Sequence, residues 1–126
     1  MSFKNFMSLI SSMVSAVAGS NDVNNLTPDE FEEKLKDKNC VVLDVRTPEE
    51  FSSGYIRGAK NINFLSTNFR NEISKLDKNK TYLVYCASGG RSAAACKIMT
   101  DLGFKEVYNL KGGIYGWKKV GKDVKK

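Results

Sequence analysis

Two apolar runs rich in β-branched residues constrain the fold of this 126-residue chain more than any other sequence feature. The runs are CVVLDV at residues 40–45 and TYLVYC at residues 81–86, and polar residues bound both of them. A nearly continuous apolar run is typical of a strand that is buried on both faces of a parallel sheet. We therefore predict two central strands, Cys40–Val45 and Thr81–Cys86.

Helix start signals lie before and after the first of these strands. Thr27 and Thr47 each precede a proline and two acidic residues, an order that caps a helix and complements its positive end. The first of these helices is expected to run for about three turns, and Gly54 is expected to end the second. Strands that alternate with helices indicate an α/β fold with a parallel sheet flanked by helices on both faces. The remaining predicted elements are helices in residues 66–77, 91–103 and 112–120, and strands around Ile62 and at residues 106–110.

The two ends of the chain differ from this pattern. We predict that residues 1–20 form a separate amphipathic helix and that residues 21–126 form one domain. The helix would dock on a partner or self-associate. One alternative is an export signal at residues 1–18. The other is a helix that lies on a membrane surface, because the segment is too polar to span a bilayer. The basic ending KKVGKDVKK is predicted to be a solvated, frayed tail.

The composition excludes several kinds of catalysis. The chain has no histidine, which excludes Ser-His-Asp and Cys-His catalysis and metal sites that use imidazole ligands. The spacing of Cys40, Cys86 and Cys96 predicts neither disulfides nor a zinc site, so we expect no metal or cofactor. Because free cysteines are typical of a reducing compartment, we expect a cytoplasmic protein unless residues 1–18 direct its export. The net charge of +6 favours small anions or acidic protein surfaces over nucleic acid as partners.

The segment CASGGRS follows the second predicted strand and precedes a predicted helix. It consists of Cys86, Ala87, Ser88, Gly89, Gly90, Arg91 and Ser92. Loop amides and the free amides of a helix's first turn can converge on one anion. Gly89 and Gly90 permit the positive φ angles that such a loop needs, Arg91 adds charge, and Ser92 can cap the helix. The sulfur of Cys86 would lie over these donors, which would lower its pKa without a histidine.

Four stretches in this order resemble the single-domain rhodaneses, a family of sulfurtransferases, across residues 26–120. They are VVLDVRTPEEF, GYIRGAKNI, YLVYCASGGRS and VYNLKGGIYGW. The resemblance implies a rhodanese-like fold and a reaction in which Cys86 takes the outer sulfur of a donor such as thiosulfate and becomes a persulfide. The persulfide would pass its sulfur to cyanide, a thiol or a protein acceptor.

The same resemblance assigns roles to further residues. It implies that the amides of residues 87–91 hold the persulfide, that Asp44 and Arg46 support this loop, and that Trp117 anchors the last helix. Cys40 and Cys96 are expected to be core residues.

Two other functions are compatible with the sequence. The chain could carry a persulfide on Cys86 to one dedicated partner without turnover. It could also be a phosphatase or arsenate reductase, although tyrosine phosphatases and related cell-cycle phosphatases have five residues between the cysteine and the arginine. Here residues 87–90 make only four, and the tighter loop suits a single sulfur atom better than a phosphoryl group.

Overall fold

A computed structural model describes residues 23–126. These residues form five helices and one five-stranded parallel sheet, whose strand order is β1-β5-β4-β2-β3. The strands are Asn25–Leu26 (β1), Cys40–Asp44 (β2), Lys60–Asn61 (β3), Thr81–Tyr85 (β4) and Glu106–Leu110 (β5). The helices are Pro28–Lys34 (α1), Pro48–Ser52 (α2), Phe69–Ser74 (α3), Gly90–Asp101 (α4) and Gly113–Lys119 (α5). None of the helices within residues 23–126 is long and apolar enough to cross a membrane.

Helices cover both faces of the sheet, as the continuous apolar strands predicted. On one face Leu43 and Val84 pack in a core cluster with residues of α3 and α4. On the other face Val42 and Leu83 pack in a second cluster with residues of α1 and α5. Because neighbouring strand residues point to opposite faces, β2 and β4 must be apolar on both sides. The predicted α/β architecture is therefore confirmed.

The two predicted helix caps are also confirmed. The hydroxyl oxygen of Thr27 accepts a hydrogen bond from the amide of Glu30, and the Glu30 carboxylate accepts one from the amide of Thr27. Thr47 and Glu50 form the same reciprocal pair at the start of α2. Each pair satisfies amides that have no partner within the helix, so short-range sequence is sufficient to begin these helices.

Several boundaries differ from the predictions. β1 was not predicted, because a two-residue strand has no periodicity; it forms where Asn25 and Leu26 pair with Asn109 and Leu110 of β5. Helix α1 has seven residues, about two turns rather than three. The predicted helix at residues 1–20 lies outside the described residues.

The prediction of a frayed C-terminal tail was wrong. The tail forms an isolated antiparallel bridge with the loop after α2, where Tyr55 and Lys125 exchange hydrogen bonds of 2.9 and 2.7 Å. The indole Nε1 of Trp117 donates to the carbonyl of Asp123 at 2.9 Å. Lys122 Nζ lies 2.9 Å from Asp29 and 2.7 Å from Glu32 of α1. Backbone hydrogen bonds and the ion pairs of Lys122 therefore both hold this segment against the domain.

The tail contacts predict that removal of residues 122–126 lowers the free energy of unfolding by about 2–4 kcal/mol, since each lost hydrogen bond contributes about 1 kcal/mol. Denaturant titration measures the change. In the matched control Lys125→Ala, the backbone bridge to Tyr55 persists, so we expect a change within about 0.5 kcal/mol. Equal stability of the shortened and full chains would contradict this account.

Candidate active site

The loop that carries Cys86 lies at the carboxyl edge of the sheet, between the end of β4 at Tyr85 and the start of α4 at Gly90. Gly89 is the residue before the helix and has a φ of 112°, which glycine adopts without steric cost. Gly90 does not have a positive φ, contrary to the prediction, because it already forms part of α4. A single left-handed residue is therefore sufficient to turn the chain back toward the sulfur.

Three hydrogen-bond donors converge on Sγ of Cys86. The amide nitrogen of Gly89 lies 3.1 Å from the sulfur, the amide nitrogen of Ser92 lies 3.4 Å away, and the Ser92 hydroxyl oxygen lies 3.3 Å away. The sequence suggested that Ser92 caps α4, but this was wrong. Ser92 is fully buried in the first turn of the helix, and its hydroxyl faces the sulfur. The loop and the start of α4 thus place two amides and one hydroxyl against the sulfur, with Ser92 as a donor rather than a cap.

The environment of Cys86 lowers the pKa of its thiol. Burial is the largest influence and raises the pKa, since only 1% of the residue is exposed. The Ser92 hydroxyl and the amides of Ser92, Gly89 and Ser88 lower the pKa and together outweigh burial. Because these donors bond most strongly to the charged sulfur, they favour the thiolate.

The other two cysteines have the opposite environment. Burial raises the pKa of Cys96 to about 12, with a smaller contribution from the charge of Cys86. Burial, followed by the charge of Asp37, raises the pKa of Cys40. The three thiols are thus chemically distinct, and Cys86 is the one whose environment favours ionisation.

Helix α5 supports the loop from the second face of the sheet. The amide of Ile114 donates to the Cys86 carbonyl at 2.9 Å, and the amide of Tyr115 donates to the Ala87 carbonyl at 3.1 Å. Gly113, the first residue of α5, lies so close to the cysteine loop that a Cβ there would overlap the carbonyl groups of Cys86 and Ala87. Gly113 was not among the predicted site residues; its signal is the double glycine at the start of a helix, which is compatible with such a close approach.

An ion pair connects the start of α4 to α2. Arg91 donates to both carboxylate oxygens of Glu50, at 2.8 and 3.0 Å. The hydrogen bond from Arg91, opposed by burial and assisted by Thr47, lowers the pKa of Glu50 to about 2. Arg91 therefore lies in the first turn of α4 with its charge paired to Glu50, and its role in holding an anion stays a prediction. Glu50 was missed, because its role in the helix cap already accounted for an acidic residue at that position.

Asp44 and Arg46 form a buried pair at the end of β2. Arg46 Nη2 lies 2.6 Å from Asp44 Oδ2 and donates to the carbonyl of Gly54 at 2.6 Å. The Arg46 guanidinium also lies 5.7 Å from the ring of Tyr85, the residue before Cys86. These contacts hold the loop after α2, and Tyr85 connects the pair to the cysteine loop only indirectly. Direct support of residues 87–91 by Asp44 and Arg46 therefore stays a prediction.

Asn109 of β5 links the cysteine loop to the edge of the sheet. Its side-chain amide donates to Asn25 Oδ1 at 2.9 Å and to the Gly89 carbonyl at 3.4 Å. The residue is 3% exposed, and its Oδ1 atom is buried without a hydrogen-bond partner among the described residues. Sequence reasoning missed Asn109, since one polar residue in a short strand gives no signal of a loop 20 positions away.

Among residues 23–126 no group of three or more cysteine, aspartate and glutamate residues could hold a metal ion. The features that converge on Cys86 are instead main-chain amides and one hydroxyl. These groups can stabilise an anionic sulfur, either the thiolate itself or a sulfur atom bonded to it.

The chain is similar to known proteins that contain a rhodanese-like domain. The sequence matches the Rhodanese-like domain family over residues 27–120. A sulfurtransferase of Allochromatium vinosum is 34% identical over 100 residues, which are 79% of this chain and 92% of that protein. A tRNA uridine(34) hydroxylase of Pelagibacter ubique is also 34% identical, over 76% of this chain but only 32% of that protein.

A solved structure extends the similarity to the fold. The rhodanese-related protein from Thermoplasma volcanium matches with a TM-score of 0.72 and 34% identity, covering 81% of this chain and 97% of that one. The match thus includes nearly the whole of a solved rhodanese-related chain. Together with the family match over residues 27–120, it shows that this chain belongs to the rhodanese-like domain family and has the rhodanese fold.

Proposed function

We propose that this chain is a sulfurtransferase that moves a sulfane sulfur through a persulfide on Cys86. The observation that carries the proposal is the convergence of the Gly89 amide, the Ser92 amide and the Ser92 hydroxyl on Sγ of Cys86. These donors favour the thiolate, which is the nucleophilic form of cysteine. A sulfurtransferase with 34% identity over most of its length supports the same activity.

In the first step the Cys86 thiolate attacks the outer sulfur of thiosulfate or of a small persulfide. A bond forms between Sγ and that sulfur, while the bond within the donor breaks. With thiosulfate, sulfite leaves with the electron pair, and the enzyme keeps one negative charge on the new terminal sulfur. The exposed residues of the loop, Ser88 and Gly90, mark the side from which a small donor can approach.

In the second step cyanide or a thiolate attacks the terminal sulfur of the persulfide. The sulfur–sulfur bond breaks, thiocyanate or a new persulfide forms, and Cys86 leaves as a thiolate. The donors that face Sγ stabilise this leaving thiolate, so the same hydrogen bonds assist both steps. The Glu50–Arg91 ion pair holds the first turn of α4, and with it the adjacent Ser92, against α2.

Two alternative functions can be distinguished experimentally from a sulfurtransferase that turns over thiosulfate. A dedicated carrier would form the Cys86 persulfide but release its sulfur to cyanide slowly. A phosphatase or arsenate reductase would hydrolyse a phenyl phosphate ester or reduce arsenate and would transfer no sulfur. The match to the tRNA uridine hydroxylase covers only a third of that protein, so hydroxylation is not proposed for this chain.

We predict that Cys86→Ser abolishes transfer of sulfur from thiosulfate to cyanide, because serine has no thiolate to accept the sulfur. Intact mass spectrometry should show an added mass of roughly 32 Da on the wild-type chain after thiosulfate treatment, and none on the variant. Cys40→Ser is the matched control and should keep both properties. Retained transfer in Cys86→Ser, or hydrolysis of a phenyl phosphate as the only activity of the wild type, would refute the proposal.

Ser92→Ala should raise the pKa of Cys86, because it removes a hydroxyl that bonds to the charged sulfur. At neutral pH we expect kcat/KM for thiosulfate to fall by roughly one to two orders of magnitude, since a hydrogen bond to a charged group contributes about 1.5–3 kcal/mol. The rate should recover at alkaline pH, where the variant's thiol ionises. Ser74→Ala, which changes an exposed serine of α3, is the control. An unshifted pH profile would show that Ser92 does not tune the thiol.

Gly89→Ala should lower kcat at least about tenfold, because alanine resists the φ of 112° and displaces the amide that donates to Cys86. Gly58→Ala is a matched control: Gly58 also has a positive φ, 85°, and a Cβ there meets open space. Both variants should lose about 1 kcal/mol of stability, while only Gly89→Ala loses turnover. Normal kinetics in Gly89→Ala would contradict the proposed role of the turn.

A further inference from the structure

Helix α5 and the residues before it lie directly beside the cysteine loop. The amide of Tyr115 donates to the carbonyl of Ala87 at 3.1 Å. A Cβ on Gly89 would lie 3.5 Å from the amide nitrogen of Gly112 and 3.7 Å from the carbonyl oxygen of Leu110, the two neighbours of Lys111. A partner that contacts Lys111 and the first turn of α5 would therefore lie close to the cysteine loop.

The outer surface of α5 is apolar and basic. Ile114 and Trp117 face the core, whereas Tyr115 and Val120 are each 60% exposed. We define the α5 face as the exposed residues Lys111, Tyr115, Lys118, Lys119 and Val120. Tyr115, Lys118 and Lys119 have the spacing of i, i+3 and i+4, which puts them on one side of a helix. Exposed apolar side chains rimmed by charge mark interaction surfaces.

The charge of this face has one sign. Residues 110–122 contain four lysines and no aspartate or glutamate. Lys122 is paired with Asp29 and Glu32 of α1, but no ion pair joins Lys111, Lys118 or Lys119 to another residue in the range 23–126. Three lysines thus remain available to carboxylates of another molecule.

We propose that the α5 face docks an acidic segment of the protein that carries the acceptor thiol. This inference rests on the proposed function and adds the class of the acceptor. Carboxylates of the partner would pair with Lys111, Lys118 and Lys119, while an apolar side chain packs against Tyr115. Complementary charge raises the rate of encounter and suppresses partners of the wrong sign.

A protein fits this face better than a nucleic acid. A single-stranded nucleic acid requires a longer basic track with several aromatic residues on which bases stack. The α5 face has one exposed aromatic side chain, Tyr115, and its second apolar residue, Val120, has no ring. An exposed tyrosine beside unpaired lysines instead suits a modest protein interface.

Docking on the α5 face would bring the acceptor thiol to the persulfide. The acceptor thiolate attacks the terminal sulfur on Cys86, and a new sulfur–sulfur bond forms on the acceptor. The bond between that sulfur and Sγ breaks, and Cys86 keeps the electron pair as a thiolate. No oxidant or reductant is consumed, because one persulfide is exchanged for another.

The test uses the full chain after loading with thiosulfate and two short synthetic peptides. Each peptide has a single cysteine next to a leucine; one is rich in aspartate and glutamate, and the other has lysine at the same positions. Mass spectrometry follows the transfer of sulfur to each peptide. The variant pair Lys118→Glu and Lys119→Glu is compared with the matched pair Lys75→Glu and Lys80→Glu, two exposed lysines outside the α5 face.

We expect faster transfer to the acidic peptide than to the basic one, and a loss of about tenfold for the acidic peptide in the Lys118→Glu, Lys119→Glu variant. The loss should shrink at high salt, because salt screens exposed charges. The matched pair should behave as the wild type. Tyr115→Ser, which keeps the amide bonded to the Ala87 carbonyl, should weaken binding of the acidic peptide.

Two further measurements separate the failure of docking from the failure of sulfur transfer. Fluorescence anisotropy of a labelled acidic peptide with serine in place of cysteine reports docking alone, and turnover with cyanide reports the chemistry alone. Absence of turnover would refute the proposed function. Equal rates for both peptides, equal losses in both variant pairs, or displacement of the acidic peptide by single-stranded RNA at lower concentration would overturn the docking proposal.

Discussion

The hydrogen bonds that reach the sulfur of Cys86 are the interaction on which the site depends. With 1% of the residue exposed, water contributes little to stabilising a charge there, and burial alone would keep the thiol protonated. The Gly89 amide and the amide and hydroxyl of Ser92 replace that solvent. Because they are held in place before any reaction, they need no reorganisation when charge develops on the sulfur.

The position of these donors depends on contacts from three directions. Helix α5 supports the loop where Gly113 meets the carbonyls of Cys86 and Ala87. Asn109 of β5 contacts the carbonyl of Gly89, and Glu50 of α2 holds Arg91 in the first turn of α4. The cysteine loop is short, yet elements from most of the domain limit its movement.

The accuracy of the sequence-based predictions varies with the range of the interactions involved. Helix starts at Thr27 and Thr47 were predicted correctly, because both partners of each cap lie within three residues. The central strands were predicted from their apolar residues, since burial on both faces requires such a composition. Strand β1 and the course of the C-terminal tail were missed. Their hydrogen bonds join Asn24 to Asn109 and Tyr55 to Lys125, and no local pattern reports partners so distant.

The sequence by itself determined the family, the parallel α/β architecture and the position of a cysteine at the end of a buried strand without any histidine. Only the tertiary structure decided that Ser92 faces the sulfur rather than capping the helix, that Arg91 is paired with Glu50, and that Cys86 and Cys96 have opposite pKa shifts. The reason is physical: the ionisation of a thiol depends on the balance of burial and hydrogen bonds in three dimensions, whereas caps and strand patterns are local properties of the chain.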